Sequence, residues 1–390
     1  MHYDFDEIID RKNTNSLKYD FAIERGKPED VQPFWVADMD FRTPQKVIDA
    51  LVTGSRHGVF GYSDVKEDYF AALARWLNTS FHWKVHPEWL LRTPGVVFAI
   101  VTAIRAFTQP GDAVIIQRPV YYPFSLSIKQ NARKLINSPL INNNGHYEMD
   151  FADFEQKIID HDVKLFILCS PHNPVGRVWT KEELTRIGDI CLRHQVRIVA
   201  DEIHQEFTFA GHEHTVFASL KKEFADCTIT CTAPSKTFNL AGLQISHIFI
   251  TNEQMRRRFR KEFLSTGYCE SNSLGLIAAQ SAYTYGREWL NQLKTYLSGN
   301  LDVLRESLQN IDGIQLVEPE GTYLAWLDCR GLGLTHEELD NQLLQKSRLW
   351  LDSGTMFGPE GSGFQRINIA CPRKNLQQAI EKLKIIVPST

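Results

Sequence analysis

Cysteine is scarce in this 390-residue chain: there are seven, an odd number, scattered from Cys169 to Cys371. That scatter excludes the disulfide framework that staples small secreted domains. Cys227 and Cys231 lie close together, but no second pair of ligands stands near them, so a zinc site is not expected. Net charge is nearly absent as well. With 43 basic side chains against 47 acidic ones, the chain lacks the electrostatic footprint of a nucleic-acid binder. Its one basic cluster, Arg256-Arg257-Arg258 with Arg260 and Lys261, has helical spacing and reads as a solvated helix face. No apolar run is long enough to cross a membrane. The opening Met1-His2-Tyr3-Asp4-Phe5-Asp6 lacks the basic-then-apolar pattern of a secretory signal. A reduced, cytoplasmic protein is expected, with neither membrane nor nucleic acid as partner. Internal repeats and low-complexity segments are missing too.

What is present is ordinary globular material, 43% hydrophobic and 23% charged. The length suits two or three domains, or one large domain with a smaller companion. Residues 1 to 45 are mixed polar and aromatic, without a long periodic helix. Short β-branched runs then alternate with amphipathic helices. The runs are Ala113 to Gln117, Lys164 to Cys169, Arg197 to Ala200, Thr228 to Thr232 and His247 to Ile250. A helix expected from Thr180 to His194 opens with Thr180 and Glu183, a capping box. Buried-looking strands separated by helices indicate an α/β fold with a mainly parallel sheet. After residue 285 the pattern changes. A long helix is expected from Trp289 to Asn310, strands near Ile314 to Val317, Tyr323 to Asp328 and Gln365 to Ile369, and a closing helix. The expected organisation is a large domain over 46–285 and a smaller α+β domain built from 1–45 plus 286–390.

In open α/β sheets, ligands bind at the carboxyl ends of the strands. The most polar stretches of this chain fall just past those ends. They are Ser170-Pro171-His172-Asn173-Pro174-Val175-Gly176, Asp201-Glu202-Ile203-His204 and Ala233-Pro234-Ser235-Lys236-Thr237-Phe238-Asn239. Each has a bland reading: Asn-Pro starts turns, Asp caps helices, and a strand-end lysine snorkels. Their order at successive strand ends brings Asn173, Asp201 and Lys236 to one rim. A lysine among small, apolar and aromatic neighbours is poorly solvated, which favours its neutral amine and Schiff-base chemistry with a carbonyl.

This ordered set resembles the fold-type I pyridoxal phosphate enzymes of the aminotransferase class I/II superfamily, over nearly the whole chain. The resemblance implies a large domain with a mainly parallel sheet of the seven-stranded type, covered by helices. It implies pyridoxal 5'-phosphate as cofactor and an amino acid as the small-molecule substrate. Lys236 would hold the cofactor and act as the base at the substrate α-carbon. Asp201 would sit against the ring nitrogen, and Asn173 would donate to the ring 3-hydroxyl. Tyr121, in Arg118-Pro119-Val120-Tyr121-Tyr122-Pro123, would stack on the ring and assist proton transfer. Backbone amides of Gly95, Val96 and Val97, opening an apolar helix, would receive the phosphate with the Ser235 hydroxyl. One departure stands out: Leu243-Gln244-Ile245 occupy a place where many aminotransferases carry an arginine. The family pattern then implies Tyr62, in His57-Gly58-Val59-Phe60-Gly61-Tyr62, as a phosphate contact donated by the neighbouring subunit of a homodimer.

Arg366 is implied as the clamp on the substrate α-carboxylate, and no fixed acidic partner is evident near it in sequence. His204 stands where many aminotransferases have a tyrosine contacting the ring 3-hydroxyl. Trp35-Val36-Ala37-Asp38-Met39-Asp40-Phe41, His57 to Tyr62, Asp201 to His204 and Cys371-Pro372-Arg373 look most like C-S lyases of the MalY/PatB type. That implies α,β-elimination from cystathionine or cysteine, giving a thiol or sulfide, pyruvate and ammonia. Asp38 and Asp40, with Tyr323 and Trp326, are expected at the substrate mouth. Two alternatives remain: an aminotransferase using the same site, and a regulator without turnover, although no helix-turn-helix extension is present. His212-Glu213-His214 is expected to be a solvated loop, and His82 and His86 are expected at the surface.

Overall fold

The computed structural model describes residues 2–387; residue 1 and residues 388–390, at the ends of the expected small domain, lie outside the described residues. Short runs of Val, Ile, Leu and Thr supply most of the strands of a seven-stranded sheet. These are β1 (Leu90–Thr93), β2 (Ala113–Ile116), β3 (Lys134–Asn137), β4 (Leu165–Cys169), β5 (Arg197–Asp201), β6 (Thr228–Thr232) and β7 (Ser246–Phe249). Their spatial order is β1-β7-β6-β5-β4-β2-β3. The pairings from β6 through β3 are parallel, whereas β7 runs antiparallel to both β6 and β1. The expected mainly parallel sheet is therefore present, with an antiparallel margin that the sequence did not reveal.

Alternation along one strand shows how the sheet is buried. Leu165, Ile167 and Cys169 join a core with helix Val96–Phe107, and Phe166 and Leu168 join another with helices Phe151–His161 and Lys181–Arg193. With both faces covered, every residue of β4 is buried and the strand reads as a continuous apolar run. β1 and β3 were harder to read, because each is only partly buried and neither is a continuous β-branched run. Thr180 and Glu183 do form the capping box that opens helix Lys181–Arg193. Register then sets the functional rim: Cys169 pairs with Asp201, and Asp201 with Cys231.

A second sheet comprises β8 (Gln315–Val317), β9 (Leu324–Asp328), β10 (Asp352–Ser353) and β11 (Phe364–Asn368), antiparallel throughout in the order β8-β9-β11-β10. The long helix before it runs Arg287–Leu308, two residues earlier than expected at each end, and β11 begins one residue early. The N-terminal segment docks here. Gln32–Pro33 pairs with Leu349–Trp350, and Trp35 stacks on Trp350 with centroids 4.5 Å apart.

Three local expectations need correction. His214 is not solvated: its ring is buried, with Nε2 3.3 Å from Glu202 Oε2 and the Phe81 ring edge-on against it at 5.6 Å. Trp326 is absent from any substrate mouth; it stacks on Phe364 and donates to the Tyr147 hydroxyl at 3.2 Å. Asp40 is buried in an ion pair with Lys18 at 2.8 Å and Arg11 at 2.8 Å. His82 and His86 are exposed, as expected, around a buried Trp83.

Candidate active site

At the carboxyl ends of β4, β5 and β6 lies a cavity of about 240 Å³. It is lined by Tyr121, Asn173, Asp201, His204, Ser235 and Lys236 from the large sheet's loops, together with Gly95, Val96 and Val97. Asp352 and Arg366 reach it from the second sheet, and Trp35 to Ala37 from the N-terminal segment. The cavity thus gathers most of the residues singled out from the sequence. Lys236 sits in the short helical turn Pro234–Thr237, immediately beyond β6, where proline at the first position suits a helix start.

The amine of Lys236 donates to Ala37 O at 3.0 Å. Burial pushes its pKa down to about 8; Asp38 and Asp201 pull upward and Arg366 pulls down, without reversing that direction. Asp201 closes β5, where burial raises its carboxyl to about 7 against the opposing pull of the Ile203 amide and Lys236. Burial holds His204 neutral, well below the usual histidine range, and the nearby positive charges of Lys236 and Arg366 act the same way. One of its ring nitrogens, Nδ1, is buried without a partner.

Arg366 is 3% exposed on β11 and makes a wide fan of contacts. It donates to Asn173 Oδ1 at 2.8 Å and to Trp35 O at 2.8 Å, and pairs with Asp352. The expectation that it lacks an acidic partner is therefore corrected. Asp352 lies directly across the β10–β11 register from Arg366, a neighbourhood created by strand pairing and not by sequence proximity. Burial raises Asp352, while Arg366 draws it back toward ionisation.

Helix Val96–Phe107 points its first turn at the same cavity. Its first intrahelical bond is Ala99 N to Gly95 O at 3.2 Å, so the amides of Val96 and Val97 precede the ladder and are available to an anion. A Cβ built on Gly95 would meet nothing within 4 Å, so open space adjoins this helix end.

Asp38 and Tyr323 stand outside the lining. Tyr323 is buried, and its hydroxyl donates to Ala37 O at 2.9 Å, the carbonyl that also receives Lys236. Asp38 pairs with Arg11 at 2.6 Å. Tyr62 is 96% exposed and lies outside this chain's own cavity, with exposed Val59 and Phe60 beside it. The sequence reading missed Asp352, Trp35 O, Ala37 O and the clips on the N-terminal strap. Asn239 exchanges bonds with Met39, and Asn368 donates to Val36 O and Asp38 O. Their mark in the sequence is an asparagine shortly after each of Lys236 and Arg366.

A family model for aminotransferase class I and II matches residues 30–383. The chain belongs to that family. Among curated relatives, cystathionine beta-lyase PatB of Bacillus subtilis is 41% identical over 97% of this chain and 98% of its own length. Protein MalY of Escherichia coli is 32% identical, covering 98% of both. Among solved structures, cystalysin from Treponema denticola, which contains a pyridoxal 5'-phosphate cofactor, superposes with a TM-score of 0.95 at 39% identity, covering 99% of each chain. Family membership accounts for the architecture: a mostly parallel sheet covered by helices, with the lysine loop at its carboxyl edge.

Proposed function

We propose that this chain is a pyridoxal 5'-phosphate-dependent carbon–sulfur lyase that performs α,β-elimination on cystathionine- or cysteine-type amino acids. The products are a thiol or sulfide, pyruvate and ammonia. The observation that carries the reading is the convergence of Lys236, Asp201 and Arg366 on one cavity. The residues fit the cofactor: a lysine of depressed basicity, a buried carboxylate, an open glycine and unbonded helix-start amides occur together. When bound, pyridoxal phosphate supplies a carbonyl for an amine and an electron sink for charge developing at the substrate α-carbon.

The chain's own residues do the rest. Lys236 would hold the cofactor and serve as the base at the substrate α-carbon; a pKa of about 8 lets the amine gain and lose a proton near neutrality. The same amine can return the proton to the departing sulfur. Asp201 would sit against the ring nitrogen and Tyr121 against the ring face, both from the cavity wall. Asn173 has its Oδ1 occupied by Arg366, which leaves its Nδ2 to donate to the ring hydroxyl. His204, neutral, lines the same cavity and would be a second group for that hydroxyl. Arg366, already fixed by Asn173, Trp35 and Asp352, receives the substrate carboxylate without having to be ordered. Val96 and Val97 would hold the phosphate through their backbone amides and Ser235 through its hydroxyl. Tyr323 would act on the substrate side by holding Ala37 O, and Asp38 by fixing the strap through Arg11.

The choice of elimination over transamination is supported by the relatives named cystathionine beta-lyase; identity to the aspartate aminotransferase of Geobacillus stearothermophilus is lower, at 25%. Incubation of the cofactor-loaded protein with cystathionine or cysteine tests it. Pyruvate with thiol or sulfide, formed without an oxo acid, is expected; strict dependence on an oxo acid would establish the aminotransferase instead.

The same proposal includes a homodimer in which Tyr62 serves the neighbouring site, supported by the exposed Val59, Phe60 and Tyr62. Domains at 46–285 and at 1–45 plus 286–390 are supported by the two separate sheets. A reducing, cytoplasmic setting is supported by seven free cysteines; no helix among the described residues is long and apolar enough to cross a membrane.

A further inference from the structure

A second cavity, of about 530 Å³, shares no lining residue with the one around Lys236. It lies between helix Arg287–Leu308, the end of helix Glu67–Phe81 and the segment from Gln205 to Ser219. Arg287, Leu290, Asn291 and Lys294 line it at the spacing of one helix face. Neither cation has a carboxylate partner within ion-pair distance among the described residues. The Arg287 guanidinium lies 3.7 Å from the Trp76 ring centroid and donates to the hydroxyls of Ser80 at 2.6 Å and Thr79 at 3.3 Å. Lys294 is half-buried and its amine makes neither a hydrogen bond nor an ion pair among the described residues. Burial lowers its pKa, Glu206 acts upward and Arg287 downward.

The same cavity is walled by a buried acceptor that has no donor among the described residues. Gln205 is 3% exposed, and its Nε2 donates to Glu206 Oε1 at 3.2 Å, which orients the amide. Its Oε1 is left buried and unpartnered, as is Nδ1 of the buried His214 on the same wall. An unmade bond at such an atom costs about 1–3 kcal/mol, which a donor brought into the cavity would recover. Glu206 is not available to balance the cations by contact. Its oxygens already accept from Trp76 Nε1 at 3.0 Å and Thr237 Oγ1 at 2.9 Å. Because Thr237 follows Lys236, the cavity wall is bonded to the lysine loop.

We propose that this cavity binds a free α-amino acid, with its carboxylate at Arg287 and Lys294 and its ammonium at Gln205 Oε1. A ligand carrying both an anionic end and an N–H donor satisfies both unmet sides. An inorganic anion or an oxo acid satisfies only the cations. The site goes beyond the lyase reading and does not depend on it.

The test is calorimetric titration of L-alanine into holoenzyme whose cofactor has been fixed to Lys236 by borohydride reduction, which blocks exchange at the catalytic cavity. Saturable binding is expected, weakened at least about tenfold by Lys294→Met and by Gln205→Leu, each of which removes one bond to the ligand. Lys294→Met disturbs no existing bond of the Lys294 amine and stands as the test if Gln205→Leu destabilises the fold. Lys294→Arg should retain binding, and sulfate and pyruvate should bind at least about tenfold more weakly. Absence of saturable heat, binding indifferent to Lys294→Met, or sulfate binding as tightly as L-alanine would overturn the proposal. None of these outcomes bears on the lyase reading, which is decided by pyruvate release.

Discussion

Replacing Lys236 by methionine should stabilise the cofactor-free protein at neutral pH and destabilise it at high pH. Burial moves the amine from an ordinary 10.5 to about 8 in the folded state. Between those values the unfolded chain binds a proton that the folded chain does not. Folding is therefore penalised below about pH 8, the penalty fades as pH rises toward 10.5, and above that it is gone. The full gap corresponds to about 3 kcal/mol. Because the residue is part-buried and opens onto the cavity, about 2–3 kcal/mol is the better expectation. Methionine is similar in length, carries no charge and forfeits only the bond to Ala37 O, worth about 1 kcal/mol. The variant should thus be about 1–2 kcal/mol more stable at pH 7, and about 1 kcal/mol less stable above pH 10.5. Urea unfolding of both proteins at the two pH values, with matched m-values, measures the difference directly. Other groups titrate over this range, but they do so in both proteins and cancel. A stability difference that keeps its sign and size between the two pH values would refute the desolvation of Lys236, and with it the argument for its poised basicity.

Other substitutions probe the same cavity. Asp201→Asn removes the negative charge expected opposite the cofactor ring nitrogen, and pyruvate release should fall about 10²–10³-fold with the cofactor still bound, as its visible absorbance would report. Asp352→Ala strands a buried guanidinium and should cost about 3–5 kcal/mol of stability; a thermal midpoint like that of the parent would show that the pair contributes nothing. Arg366→Lys exchanges a planar fork for a point charge that cannot hold Asn173 and Trp35 together, so KM should rise about ten- to a hundredfold with kcat less affected. Tyr62→Phe should speed loss of cofactor on dilution without shifting the unfolding midpoint of the cofactor-free chain, since the exposed hydroxyl bonds nothing within it.

Asn173, Asp201 and Lys236 were legible because each follows an apolar run within a few residues. A strand buried on both faces announces its own end when polarity returns. The helix-start amides at Gly95 to Val97 were legible for a similar reason: a glycine stands just before an apolar helix. Asp352 was not legible. It is buried against Arg366 only because β10 pairs antiparallel with β11, and nothing local to Leu351-Asp352-Ser353 marks it as an acid facing a site. His214 and Asp40 misled in the opposite sense. His214 reads as part of a solvated loop and Asp40 as lining the substrate mouth, but folding brings each a buried partner, Glu202 or Lys18. Lys18 itself is 1% exposed, which no sequence pattern around it suggests.

By itself the sequence determined the alternation of buried strands and helices, the identity of the rim residues and their order along the chain. Those properties are local, since an apolar run, a capping residue and a turn each depend on a few neighbours. Only the tertiary structure decided which rim residues share a cavity, how Arg366 is neutralised and why Ala37 O receives both Lys236 and Tyr323. It also decided the basicity of Lys236, for desolvation is a property of the whole surrounding shell, assembled here from the large sheet, the second sheet and the N-terminal strap.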